Sequence, residues 1–165
     1  MIDYTSIQST LNKLDSEYNA STDLQMPILY SKLAVLELCG WIETNIDGML
    51  FEYINTHIVN PIYITKIKKI IDKNYGFHYE KNLFPLLCSV LGINNLENVI
   101  DKISTIDFQN LQSITEAYTL ERNKAAHTDT PSGTTRSYKA PSSVLHDYAL
   151  IKPAIQTIEY EIQRL

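Results

Sequence analysis

Apolar residues recur at intervals of three and four along most of the chain, the spacing of one face of an α-helix. This spacing predicts a first helix over about 3–18. Its apolar stripe consists of Ile7, Leu11, Leu14 and Tyr18. A longer stripe through Val35, Leu38, Ile42, Ile46 and Leu50 predicts a helix of about thirty residues that ends near residue 57. Asp23 precedes this long helix, and its residue type is favoured as an N-cap.

Helix start and stop signals divide the middle of the chain into further segments. Asn60 followed by Pro61 is typical of a cap followed by the first helical residue, and Gly76 is typical of a stop. Gly92 separates two shorter segments, and Asp107 is a candidate cap for a longer one. The helices predicted here cover about 60–76, 83–91, 95–102 and 107–127.

A change in composition follows at 128–142, where Pro, Gly, Ser and Thr replace the apolar period and predict an exposed loop. Beyond Pro141 a heptad-like seam of apolar residues predicts a final helix, which Pro153 should bend or weaken. The seam consists of Val144, Tyr148, Ile151, Ile155, Ile158, Ile162 and Leu165. We therefore expect residues 1–165 to form a single all-α domain, an antiparallel up-and-down four-helix bundle with additional short helices.

The 165 residues carry a formal net charge of −5, which disfavours a broad basic surface for nucleic-acid phosphates. The charge is uneven, because 1–60 holds two Lys against eight acidic residues, whereas 61–165 holds twelve basic residues against eleven acidic ones. A compact phosphate site in 61–165 is compatible with this distribution. The lysines at 66–73 are most simply the solvated face of a helix.

Cys39 and Cys88 lie in apolar stretches without a C-x-x-C motif, so we expect buried, reduced thiols and no metal centre or cofactor. Cys39 cannot pair with His57, because eighteen residues of one helix span about 27 Å. The first residues lack the features of a signal peptide, and the longest uncharged apolar stretch, 83–96, is too short to span a bilayer. We expect a cytoplasmic protein.

The remaining candidate chemistry is the sequence Arg-Asn-Lys-Ala-Ala-His at 122–127, at the end of a predicted helix. Asn123 and His127 are four residues apart and share a helix face, and the long side chain of Arg122 can reach the same edge. The negative end of the helix dipole favours a charged His127. The small side chains of Ala125 and Ala126 leave room for a ligand or a partner helix.

This motif resembles that of the HEPN superfamily, the small α-helical domains of many prokaryotic endoribonucleases, toxins and defence proteins. Their mark is an Arg, a polar residue, three or more variable residues and then His, at the end of a helix in a four-helix bundle. The stretch LELCGWIE at 36–43 is also similar to the corresponding helix of some HEPN groups. A branch inactivated by adenylylation carries Tyr two residues after the His, where this chain has Asp129.

The resemblance implies a metal-independent endoribonuclease, a toxin or a phage-defence protein, that acts on RNA as a homodimer with two facing motifs. His127 would be the general acid/base, Arg122 would bind the phosphate, and Asn123 would orient His127 or bind a phosphate oxygen. Further RNA contacts would come from Lys124, Arg136, Tyr138 and Lys139, with Tyr138 stacking on a base. The interface could use the final helix or the small residues Gly40, Ala125 and Ala126, although the seam is better explained by packing within one subunit.

Two other interpretations remain open. A non-catalytic HEPN module would bind RNA, a nucleotide or a partner protein, for instance a cognate antitoxin or a subunit of a defence complex, and the acidic charge favours it. A plain helical scaffold would leave Arg122 and His127 without a chemical role.

Overall fold

The computed structural model describes residues 1–126 and 137–165, and this part of the chain is helical, without a β-strand. It contains seven α-helices and one short π-helical turn, Tyr79–Leu83. The α-helices are α1 (Tyr4–Ala20), α2 (Met26–His57), α3 (Pro61–Asp72), α4 (Phe84–Leu91), α5 (Ile93–Ile100), α6 (Thr105–Ala126) and α7 (Pro141–Ile162). The all-α prediction is therefore confirmed.

Two helix starts follow from capping side chains close by in sequence. The carboxylate of Asp3 accepts hydrogen bonds from the backbone N–H groups of Thr5 (2.9 Å) and Ser6 (3.0 Å), so it caps α1. The predicted cap of α3 is confirmed, since Asn60 accepts a bond from the N–H of Ile62 at 2.9 Å. These local bonds satisfy N–H groups that the first helical turn leaves without a partner.

Other predicted boundaries were wrong. Asp23 does not cap α2, because its carboxylate accepts the N–H of Gln25 at 2.6 Å and α2 begins one residue after Gln25. Helix α3 ends at Asp72 rather than at Gly76. The side chain of Asn74 donates to the carbonyl of Gly76 at 3.0 Å, so a local turn replaces the last predicted turn of helix.

The start of α6 lies earlier than predicted, because Ser104 rather than Asp107 provides the cap. The hydroxyl of Ser104 accepts the N–H of Asp107 at 3.1 Å and donates to the Asp107 carboxylate at 2.6 Å. This reciprocal arrangement is similar to a capping box. Helix α5 also starts two residues earlier than predicted, directly after Gly92, whose φ of 81° favours glycine.

The four longest helices pack side by side. Helix α1 contacts α2 and α7, α6 contacts the same two helices, and α2 and α7 also contact each other. The apolar seam of α7 is buried within the chain from Val144 to Ile162, whereas Leu165 beyond it is exposed. This confirms that the seam serves packing within one subunit, and α7 continues through Pro153.

The shorter helices cover one side of this core. Helix α3 packs on α2 and α4, and α5 packs on α4 and α7. No single described helix combines the length and apolarity needed to cross a bilayer. The segments Tyr79–Leu91 and Ile93–Ile100 reach this combination only as a pair, bent by 120° at the break between them.

The amino-terminal segment is fixed to α7 by Glu159, a buried carboxylate that is only 7% exposed. It accepts the backbone N–H of Ile2 at 2.6 Å and the hydroxyl of Tyr4 at 2.9 Å. The hydroxyl of Tyr148 donates to the carbonyl of Tyr4 at 2.7 Å, and Trp41 packs edge-on against both tyrosine rings. These contacts hold the start of α1 against α2 and α7.

Candidate functional site

Arg122 lies near the end of α6, at the edge of the surface that α6 packs against α2. Its Nη2 lies 3.1 Å from Oε2 of Glu43 on α2, and its side chain is 38% exposed. Ala125, three residues later, is fully buried. Because Ala125 holds the last turn of α6 against the core, the Arg122 guanidinium is placed at the border between the core and solvent.

The burial of Ala125 corrects the expectation that it forms part of an open surface. Its side chain packs inside the molecule and offers nothing to a ligand or a partner subunit. Ala126 and Gly40, the other two small residues suggested for a subunit interface, are exposed.

The carboxylates beside Arg122 are in a strained electrostatic environment. Partial burial raises the pKa of Glu43, and the nearby Arg122 guanidinium opposes that rise. One helical turn further along α2, the pKa of Asp47 is raised to about 6, chiefly by burial and then by the negative charges of Glu43 and Asp72. The Arg122 guanidinium therefore pairs with Glu43, while Asp47, one turn further along α2, is influenced by the carboxylates of Glu43 and Asp72.

Cys39 lies one turn before Glu43 on the same face of α2. Its thiol is buried, and Sγ lies 3.8 Å from the carbonyl oxygen of Tyr118 on α6. Burial raises its pKa to about 12, so the thiol stays protonated at neutral pH. Cys39 and Cys88 are both free; the expected burial is confirmed for Cys39, whereas Cys88 is only partly buried.

The other two residues of the motif that the structure describes, Asn123 and Lys124, are exposed at the end of α6. The ammonium of Lys124 lies 2.7 Å from a carboxylate oxygen of Glu121, one turn earlier. His127 and Arg136 lie outside the described residues. The structure thus brings Arg122, Asn123 and Lys124 to one end of α6 and adds Glu43 beside them.

Lys139, which is predicted to bind RNA, lies in a cluster of intramolecular contacts. Its Nζ is 2.6 Å from Oδ2 of Asp147 on α7 and 4.7 Å from the centre of the Tyr118 ring. The Tyr118 hydroxyl donates to the same Asp147 oxygen at 2.8 Å. Tyr138 is half-buried, packs against the core and has a buried hydroxyl. Its ring therefore lies partly against the protein interior, and its stacking on a base stays a prediction.

Sequence reasoning assigned no role to Glu43, the residue that holds Arg122. A usable signal was its spacing of four from Cys39, which places it on a face that also carries buried residues.

Within residues 1–126 and 137–165, no group of three or more His, Cys, Asp or Glu side chains could hold a metal ion. No family model, curated protein or solved structure matches the chain.

Proposed function

We propose that this chain is a metal-independent endoribonuclease of the HEPN type, which cleaves RNA with Arg122 and His127. The observation that carries the proposal is the placement of Arg122, which lies partly exposed at the end of a long helix and next to the exposed Asn123. In the sequence, His127 directly follows the last described residue of that helix. The pairwise packing of α1, α2, α6 and α7 supports an antiparallel up-and-down bundle as the scaffold.

The proposed chemistry uses the nucleophile that RNA itself supplies, the 2′-hydroxyl. His127 removes or donates the proton as general acid/base, a contribution of about 10²–10⁴-fold. Arg122 binds the scissile phosphate and stabilises the charge that develops on it. Asn123 orients His127 or binds a phosphate oxygen. The P–O5′ bond breaks as the 2′-oxygen attacks, which leaves a 2′,3′-cyclic phosphate and a 5′-hydroxyl.

In this proposal Glu43 positions the guanidinium of Arg122. A guanidinium carries five N–H donors in a fixed plane, so an ion pair through Nη2 leaves donors for a phosphate. The pair also restricts the rotation of a long side chain, which reduces the entropy lost when the phosphate binds.

A single Arg and a single His make a small active site, so we propose that two copies associate with their motifs facing one another. The partners we propose are an RNA substrate and a second copy of this chain. A role as a toxin or a phage-defence protein adds a cognate antitoxin or defence-complex subunit. These assignments follow from the HEPN resemblance of the motif at 122–127.

The experiment is incubation of purified protein with total RNA in EDTA, beside Arg122→Ala and His127→Ala. We expect cleavage by the wild type and a loss of about 10²–10⁴-fold in each variant. Arg164→Ala is the matched control, because Arg164 is an exposed arginine that stacks on Tyr160 at the end of α7. Cleavage that is equal in the wild type and in both motif variants would contradict the proposal.

A specific observation favours the second candidate, a non-catalytic module that binds RNA, a nucleotide or a partner protein. Each predicted RNA-binding cation that the structure describes, Arg122, Lys124 and Lys139, already contacts a carboxylate. The net charge of −5 also favours the non-catalytic module over the nuclease. RNA binding without cleavage by the wild type in EDTA would favour this module over the nuclease.

A further inference from the structure

A groove of about 450 Å³ lies between the π-helical turn, α5 and the start of α6. Its apolar lining includes three aromatic rings, Tyr79, Phe84 and Phe108, with the Tyr79 and Phe108 rings packed edge-on at 5.2 Å. Phe84 is 36% exposed, so apolar surface is presented to solvent. A groove of this kind can accept the apolar side chains of another helix.

The rim of this groove is acidic. Glu80, Glu97 and Asp101 line it and are all exposed, and no Lys or Arg occurs among its described lining residues. Glu97 and Asp101 are four residues apart, which is one helical turn. The occupant that matches this groove is therefore a helix with apolar side chains flanked by basic ones.

Helix α3 has this character on its outer face. It packs inward through Ile71 and the partly buried Ile64 and Ile67. Its opposite side exposes apolar and basic side chains together. These are Ile62, Tyr63, Lys66, Lys69, Ile70 and Lys73. Asp72, the one acidic residue of α3, is exposed at the edge of this face, about 60° from Lys69 around the helix axis, so the face carries three lysines with one carboxylate beside them.

We infer that the outer face of α3 docks into the acidic groove of a second copy of this chain. The apolar side chains of the two surfaces have the same spacing. Tyr63 and Ile70 on α3 are seven residues apart, and so are Ile93 and Ile100 at the groove. Seven residues span about 10.5 Å along a helix. The basic pair Lys69 and Lys73 has the same spacing of four as the acidic rim pair.

The position of α3 allows the contact to be reciprocal. Helix α3 packs on α4, and α4 packs on α5, so the basic face and the acidic groove belong to neighbouring parts of one molecule. In the proposed dimer a two-fold axis relates the two copies, so the contact is made twice and the assembly is closed.

The acidic groove is a better match for the basic face of α3 than RNA or an anionic membrane. The groove offers carboxylates at the spacing of the lysines together with apolar side chains at the spacing of Tyr63 and Ile70, and neither RNA nor an anionic membrane has both at fixed positions. The inference does not depend on the proposed nuclease activity, since no residue of the motif at 122–127 takes part.

The test is a charge swap followed by sedimentation velocity from about 1 to 100 µM protein. Glu97→Lys/Asp101→Lys and Lys69→Glu/Lys73→Glu each place like charges across the contact, so each variant alone should dimerise at least about tenfold more weakly than the wild type. An equimolar mixture of the two variants restores opposite charges at both contacts and should form a heterodimer. Circular dichroism checks that each variant keeps its helices.

Salt provides a second readout, because the contact is ionic at its rim. The association constant of the wild type should fall by about tenfold or more between low and high salt. A wild type that stays monomeric at the highest concentration overturns the inference, as does a dimer that is as strong in both variants as in the wild type or a mixture that associates no more strongly than either variant alone. Binding of a monomeric wild type to RNA or to anionic vesicles, lost in Lys69→Glu/Lys73→Glu, also overturns it. RNA cleavage in EDTA is measured separately, so failure of the nuclease proposal is distinguished from failure of this one.

Discussion

The molecule contains two carboxylate environments of opposite character, one at Glu159 and one at Glu43. Glu159 is deeply buried and accepts two hydrogen bonds at 2.6 and 2.9 Å, from the N–H of Ile2 and the hydroxyl of Tyr4. Glu43 is half-buried, and its charge is balanced by the partly exposed guanidinium of Arg122. The first carboxylate ties the amino terminus to the core, whereas the second faces the border with solvent.

The difference extends to the neighbours of each carboxylate. Asp47 lies one helical turn from Glu43, and its pKa is raised to about 6, chiefly by burial and then by the charges of Glu43 and Asp72. Stability alone would not favour two half-buried carboxylates on neighbouring turns of α2 with a single guanidinium beside one of them. Charge arrangements that are unfavourable for folding concentrate at functional sites, so the comparison supports the Arg122 end as the functional one.

Removal of Glu159 should have the largest effect on stability. Glu159→Ala leaves the N–H of Ile2 and the hydroxyl of Tyr4 without their acceptor, so we expect a loss of about 3 kcal/mol in the free energy of unfolding. Urea denaturation measures it. Glu52→Ala is the matched control, because it removes an exposed carboxylate that also lies near the amino terminus, and it should cost under about 0.5 kcal/mol. Equal stability of the two variants would contradict the structural role of Glu159.

Removal of the Asp47 charge should act in the opposite direction. Since its pKa is raised from 3.8 to about 6 in the folded chain, the wild type loses stability as the pH rises through this interval. Asp47→Asn carries no such charge, so we expect it to match the wild type near pH 4 and to be more stable above pH 6. The gain should be about 1 kcal/mol, after a reduction for partial solvent exposure.

Urea denaturation at a series of pH values from 4 to 7 measures this dependence. Asp101→Asn, which removes an exposed carboxylate at the end of α5, is the control and should show a smaller change with pH. A stability difference for Asp47→Asn that is constant with pH, or that is largest at pH 4, would show that the charge of Asp47 does not destabilise the folded chain.

The helices were predictable because the three-and-four spacing and the capping signals are local properties of the sequence. The end of α2, the start of α7 and the Asn60 cap illustrate this. The errors occurred where two local signals compete. Asp23 resembles a cap but bonds within a turn, and Gly76 resembles a stop but lies beyond a turn made by Asn74.

The surroundings of the candidate site were not predictable in the same way. The ion pair between Arg122 and Glu43 and the cluster of Lys139 with Asp147 depend on how helices pack, which no short sequence window contains. The sequence could identify the motif at 122–127 as a candidate, but not that Ala125 is buried or that Glu43 holds the arginine.

The central claim, that Arg122 and His127 promote attack by an RNA 2′-hydroxyl, is tested most directly with an RNA oligonucleotide that carries one 2′-deoxy nucleotide at the cleaved position. In EDTA, the wild type should cleave the all-RNA oligonucleotide and leave a 2′,3′-cyclic phosphate end. Arg122→Ala and His127→Ala should each form this product at least about 10²-fold more slowly. The 2′-deoxy oligonucleotide should remain intact at that position. Cleavage of the 2′-deoxy oligonucleotide at the same position by the wild type would contradict the account.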